Sequence, residues 1–209
     1  MKIDILTLFP KMFEGAFGES IVRRAIDNQI LDLRFIDLRE FATDKYKSVD
    51  DRPYGGGAGM IMRIDIVDMA VSKLRGEKSR VVLLDAGGEK FTEKKAQELA
   101  KEENLIIICG HYEGVDHRVH EHIADEVISI GDYVLSGGEI PAMVIVDSVV
   151  RLLPGALGNK ESLVEESFNG GAAEYPQYTR PEEYKGWKVP EILLSGDHKR
   201  IGEWRKNGV

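Results

Sequence analysis

Two short runs constrain this chain more than anything else in it. Val81, Val82, Leu83 and Leu84 form one unbroken apolar stretch, and Leu105, Ile106, Ile107, Ile108 and Cys109 form another. A strand with one face in water alternates apolar and polar residues, whereas a strand apolar at every position has both faces covered. Residues 3–8 read as a third buried strand, closed by Pro10, and residues 127–130 as a short fourth. Residues 30–38 differ: Leu31, Leu33 and Phe35 alternate with Asp32 and Arg34, so that strand is half exposed. Helical patterns separate the strands, at residues 12–29 (Phe13, Phe17, Ile21, Val22 and Ala25 on one side), 65–75 (Asp65 as N-cap), 92–103 (Thr92 as cap), 116–124 and 139–153. Strands alternating with helices imply an α/β fold with a parallel sheet covered on both faces. Residues 43–63, polar and then glycine-rich, read as a long loop.

The chain's 209 residues suit one large domain or two small ones. The α/β domain is expected over 1–158, a polar linker over 159–171, and a small C-terminal domain over 172–209. That last stretch gathers Tyr175, Tyr178, Tyr184, Trp187 and Trp204. It is also the basic part: residues 180–209 carry a net +2, against -8 for the whole chain. A polyanionic partner therefore has to be met by local basic surface, not by the overall field. One cysteine, Cys109, excludes an intramolecular disulfide and fits a reducing compartment. Asp4 interrupts the apolar N-terminus, Asp147 interrupts the best apolar run, and no stretch nears the ~20 residues of a membrane span. The expectation is a cytoplasmic protein.

Three glycine-bearing segments follow buried strands, at residues 83–91, 108–116 and 129–143. Ligands of open α/β sheets sit beyond the carboxyl ends of the strands, where glycine lets main chain turn sharply or approach a ligand. Each segment read alone is also an ordinary tight connection. A phosphate-binding loop needs a Gly-Lys pair, which the chain lacks, and residues 54–60 place Met60 where a dinucleotide fingerprint needs its third glycine. A pocket of main-chain amides and carbonyls without phosphate clamps suits an adenine-and-amino-acid ligand. His111, His117, His120 and His122 crowd near Cys109, but their spacing matches no common zinc pattern, and no metal site is assigned to them. Ser136 lies in no nucleophile elbow.

Six segments then carry a resemblance: DDRPYGGGAGM (50–60), GHYEGVD (110–116), IGDYVLSGGEIPAM (130–143), RLLPGALG (151–158), EYPQYTRP (174–181) and LLSGDHKRIGEWR (193–205). In this order they resemble the bacterial tRNA (guanine-N1)-methyltransferase family of the SPOUT class, over nearly the whole chain. The resemblance implies a parallel sheet with a C-terminal trefoil knot, followed by a small, mainly helical domain. It implies S-adenosyl-L-methionine bound by Leu84, Asp85, Ala86, Gly110, Glu113, Ile130, Gly131, Asp132, Tyr133, Val134, Leu135, Gly137, Gly138 and Ala142. The reaction implied is methylation of N1 of the guanosine just 3′ of the anticodon, position 37 of tRNA. Arg151 matches the family's arginine near guanine O6. Glu166, in EESF, stands where the family has its aspartate base, and Glu165 is the neighbouring candidate. Contacts to tRNA would come from Arg52, Gly57, Gly59, Met60, Tyr178, Arg180 and His198, with Lys188, Lys199, Arg200 and Arg205 available for phosphates. Tyr175 and Tyr178 could stack on a flipped base or simply pack their domain. A homodimer with its active site across the interface is implied, residues 140–153 being a candidate interface helix or a core helix, and so is help from Mg2+ at ligands that spacing does not name. The family usually continues beyond the Trp204-Arg205 match, so part of the tRNA grip would lie further along. The alternatives are another SPOUT RNA methyltransferase, a non-catalytic RNA-binding relative, and a nicotinamide or ATP enzyme on a doubly wound sheet.

Overall fold

A computed structural model describes residues 1–157 and 175–207. The chain divides into two units, Met1–Gly158 and Asn159–Val209. In the first, β1 (Lys2–Thr7), a 3-10 turn (Pro10–Met12), α1 (Phe13–Phe17), α2 (Ser20–Asp27), β2 (Asp32–Asp37) and a second 3-10 turn (Leu38–Phe41) come first. They are followed by β3 (Asp50–Asp51), β4 (Ile61–Met62), α3 (Ile64–Leu74), β5 (Ser79–Lys90), α4 (Glu93–Leu99), β6 (Asn104–Cys109), α5 (Arg118–His122), β7 (Glu126–Ser129) and α6 (Glu139–Arg151). The main sheet runs β2-β1-β6-β5-β7, with every neighbouring pair parallel.

The unbroken apolar runs follow from what covers the two faces. Ile3, Ile5, Val82, Leu84, Leu105, Ile107 and Cys109 enter one core, with Phe13 of α1, Val22 of α2, Leu99 of α4 and Val146 of α6. The alternate residues Leu6, Val81, Leu83, Ile106 and Ile108 enter a second core with Ile66 of α3 and Val119 of α5. Successive side chains of a strand point to opposite faces, so a strand between two helical layers has to be apolar throughout. β2 lies at the edge of the sheet and keeps its partly exposed alternation. Asp4 is wholly buried in β1, where Arg34 of β2 binds its Oδ1 at 2.6 Å and Lys2 approaches at 3.1 Å.

Several boundaries differ from the sequence expectation, each for a local reason. The pattern over 12–29 splits into α1 and α2, because Ser20 adopts a left-handed φ of 62°. Phe13 and Phe17 stack with Phe35 at centroid spacings of 4.9 to 6.1 Å, which fixes α1 to the sheet. The N-cap of α3 is Arg63, not Asp65. Asp65 sits in the first turn instead, where its bond to the Arg63 guanidinium holds the carboxyl below the usual carboxylate range. Thr92 caps α4, accepting from the Lys95 N–H at 3.3 Å. Residues 86–88 do not end β5 as a turn: the strand shifts register between Leu84 and Glu89 and goes on beside β7. Gly88 permits this, since a Cβ there would lie 2.7 Å from the Ile128 backbone. Within the expected loop 43–63, β3 and β4 pair antiparallel.

In the second unit, β8 (Glu183–Tyr184) and β9 (Trp187–Lys188) form an antiparallel hairpin, followed by α7 (Glu191–Leu194) and α8 (His198–Asn207). The hairpin turn puts Lys185 at φ 53° and Gly186 at φ 84°, the conformation that two-residue turns demand. Asp197 starts α8 by accepting from the Arg200 N–H at 3.1 Å. Glu166, Glu165 and the expected linker 159–171 lie outside the described residues.

Candidate functional site

The carboxyl ends of β5, β6 and β7 open onto a cleft. Its walls are Leu84, Asp85 and Ala86 from β5, residues 110–114 after β6, and residues 128–131 and 133–138 from β7 and the loop before α6. Of the residues assigned to the methyl donor, Leu84, Asp85, Ala86, Gly110, Glu113, Ile130, Gly131, Tyr133, Val134, Leu135, Gly137 and Gly138 all stand around this one cleft. Asp132 and Ala142 do not line it. The Asp132 carboxylate is exposed and paired with Lys90, and Ala142 is fully buried in the core of α6. His111, Tyr112, Gly114, Ser129, Ser136 and Pro141 line it as well. All six lie inside the glycine-bearing segments 108–116 and 129–143, and the signal for them was simply membership of those segments.

Glycine is required here by close packing. The Gly138 N–H donates to the Gly110 carbonyl at 2.8 Å, tying the loop before α6 to the end of β6. A Cβ on Gly138 would fall 2.7 Å from Cys109 Cα, and one on Gly137 would fall 2.6 Å from His111 Nδ1. These glycines let two loops approach to van der Waals contact.

The electrostatics of the lining are one-sided. Among the described residues the cleft contains Asp85 and Glu113 but no lysine or arginine. Asp85 accepts from the Gly87 N–H at 2.8 Å through Oδ1, and its Oδ2 lies 3.3 Å from His120 Nε2. The Glu113 N–H donates to the Met60 carbonyl at 3.0 Å, and a Cβ on Gly59 would overlap the Glu113 side chain. The glycine-rich loop at 55–60 therefore packs on the cleft wall, a juxtaposition that sequence spacing did not reveal. Gly57 and Gly59 both have positive φ, and Arg52 beside them is exposed. Cys109, beneath the cleft, is fully buried, and burial first and Glu139 second push its thiol well above its ordinary value. It is a packing residue, not a nucleophile.

The histidines do not converge. His117 stacks on His120 at 4.9 Å, His120 faces Asp85, and His111 faces Glu139. No group of three or more His, Cys, Asp or Glu side chains placed to hold a metal occurs among the described residues. Arg151 ends α6, half-buried. In the second unit, Tyr178 is half exposed and Arg180, His198 and Lys188 are exposed. The Arg205 guanidinium lies 4.7 Å above the Tyr175 ring, at a hollow also lined by Tyr178, His198 and Trp204.

Comparison with known proteins completes the description. A family model described as tRNA (Guanine-1)-methyltransferase TrmD matches residues 1–208. A tRNA (guanine-N(1)-)-methyltransferase of Geobacillus kaustophilus is 57% identical over 208 residues, 99% of this chain and 85% of that protein. Those of Bacillus cereus strain AH820 and Bacillus anthracis strain CDC 684 are each 57% identical over 98% of this chain and 85% of theirs.

Proposed function

The chain belongs to the tRNA (guanine-N1)-methyltransferase family, and from that footing we propose how its cleft performs the reaction. As a member it is an enzyme that methylates tRNA, with S-adenosyl-L-methionine as the donor. One observation carries the assignment of the cleft to that donor: among its described lining residues, Asp85 and Glu113 stand beside five glycines and apolar and aromatic residues, with no lysine or arginine. A phosphate ligand would find no counter-charge there, whereas a ligand bearing a sulfonium and an ammonium finds Asp85 and Glu113. The crowded glycines are the second support, since peptide amides and carbonyls can read the edge of an adenine without side chains. The reading includes the SPOUT class and its trefoil knot, for which the His111–Gly137 bridge and the Gly138–Gly110 bond are the supporting contacts.

The nucleophile is N1 of the guanosine at position 37, which carries a proton and is weak until that proton leaves. Glu166 takes the proton on its carboxylate. Arg151 sets its guanidinium against O6, where negative charge collects as N1–H breaks, and its planar fork suits that edge of guanine. The bound donor supplies a methyl group whose bonding pair returns to sulfur as N1 takes the carbon. The remaining tasks are positional: Asp85 and Glu113 hold the cationic ligand, and the loop 55–60 together with Tyr178, Arg180 and His198 grips tRNA. Exposed Ile140 and Val144, one helical turn apart on α6, and Val134, 88% exposed, form an apolar face that fits a second copy of the chain. We place the enzyme in the cytoplasm, where its tRNA is; no helix among the described residues is long and apolar enough to cross a membrane.

Methyl transfer from radiolabelled donor to a tRNA transcript tests the reading. Label is expected in a transcript with guanosine at position 37 and absent when that base is adenosine. Equal labelling of both transcripts would favour a different target.

A further inference from the structure

Glu139 is the one acid of the first unit's helices that is buried outright, 2% exposed at the start of α6. A buried carboxylate is costly, and an apolar side chain of the same size is often as stable or more so. Its surroundings show what the acid holds together. The Thr7 hydroxyl at the end of β1 donates to Glu139 Oε1 at 2.8 Å. That hydroxyl is itself oriented, because it accepts from the Phe9 N–H at 2.9 Å and so has its proton free for the carboxylate. The other carboxylate oxygen lies 3.9 Å from His111 Nδ1, a buried ring nitrogen with no hydrogen-bond partner. The His111 ring in turn packs on Phe9, centroids 4.8 Å apart. Directly above, Gly137 leaves no room for a Cβ against Glu139 and His111. Three chain segments thus meet on one carboxylate: the end of β1, the turn after β6, and the loop entering α6. The last two are walls of the donor cleft.

We propose that Glu139 is a positioning residue for the methyl donor: its carboxylate, anchored by Thr7, sets the height of His111 and Gly137 and thereby the spacing of the two cleft walls. It touches no reacting atom and acts through those walls. The close-packed sheet beneath it is rigid, so the anchor transmits position rather than flexing. The inference rests on the assignment of the cleft to S-adenosyl-L-methionine.

The test separates stability from affinity. Glu139→Met keeps the volume and removes the anchor, and Thr7→Val with Glu139→Met removes the partner hydroxyl as well, at the cost of the acceptor of the Phe9 N–H. Calorimetric titration of S-adenosyl-L-methionine into the full chain is expected to show about tenfold weaker binding for both variants, as for loss of a buried hydrogen-bonded anchor. The melting temperature of the double variant should stay close to wild type and above that of Leu99→Ala, and its kcat at saturating donor close to wild type while KM for the donor rises. Glu139→Gln, which can still accept from Thr7, should recover most of the affinity. A stability control, Leu99→Ala on α4, should lower the melting temperature and leave donor affinity unchanged. Donor affinity within twofold of wild type in the double variant would overturn the proposal, and so would equal losses in the double variant and Leu99→Ala. Wild-type protein giving no binding heat would instead remove the cleft assignment itself, and this proposal with it.

Discussion

The donor cleft and the segment 175–207 present chemistry in opposite ways. The cleft is lined by close-packed glycines and by apolar and aromatic residues between two cores, with carboxylates as its charges. The second unit offers side chains: an exposed Trp187, cations at Arg180, Lys188, Lys199 and Arg200, and an arginine stacked on Tyr175. The contrast teaches how an acidic chain can serve a polyanion. In the proposed reading, a small cationic ligand is held in the negatively charged unit, while RNA is met by local base and aromatic rings that can adjust to a flexible strand.

The sharpest way to break this comparison is to crowd the backbone. Gly138→Val puts methyl groups onto Cys109 Cα and the Gly110 N–H, and donor binding should fall more than about 100-fold, beyond detection by calorimetry. If this variant binds as wild type does, the cleft is not built on backbone contact. Next in size is the proposed proton transfer. Glu166→Gln should slow single-turnover methyl transfer by about 10²-fold or more, with donor affinity unchanged. An unaltered rate would take Glu166 out of the mechanism. A smaller effect is expected from the second unit: Arg205→Ala should weaken tRNA binding several-fold and reduce the slope of log affinity against log salt by roughly one, as for one lost phosphate contact. Donor binding measured in parallel should stay the same, and a change there would show that the two regions do not divide the work. The smallest effect concerns Cys109. Its thiol is fully buried and pushed up in pKa, so less thiolate is present in the folded protein at any given pH than an open cysteine would show. Labelling by a water-soluble thiol reagent at pH 8 should be slow until denaturant is added; fast labelling of the native protein would mean the floor of the cleft opens.

The layered sheet was legible because its cause is written in single residues. Val81 and Val82 face opposite cores, and only a doubly covered strand needs both to be apolar. The cleft's walls were legible as glycine segments after strands. What the sequence hid are features set by tertiary contact. The passage of β5 through residues 86–88 depends on β7 lying beside it, not on any local propensity of Ala-Gly-Gly. The meeting of Gly59 with Glu113 joins residues far apart in the chain. Glu139 looked like the polar start of an apolar helix, since a glutamate is ordinarily exposed, and nothing local announces that Thr7 is waiting for it.

The account stands on the donor lying in the cleft at the ends of β5, β6 and β7. A crystal structure of the protein soaked with S-adenosyl-L-methionine measures this directly. The account predicts density against residues 84–86, Gly110, Ile130, Gly131 and residues 133–135, with the ligand's cationic end toward Asp85 or Glu113. Density for the donor at any other place, with this cleft empty at a saturating concentration, would contradict it.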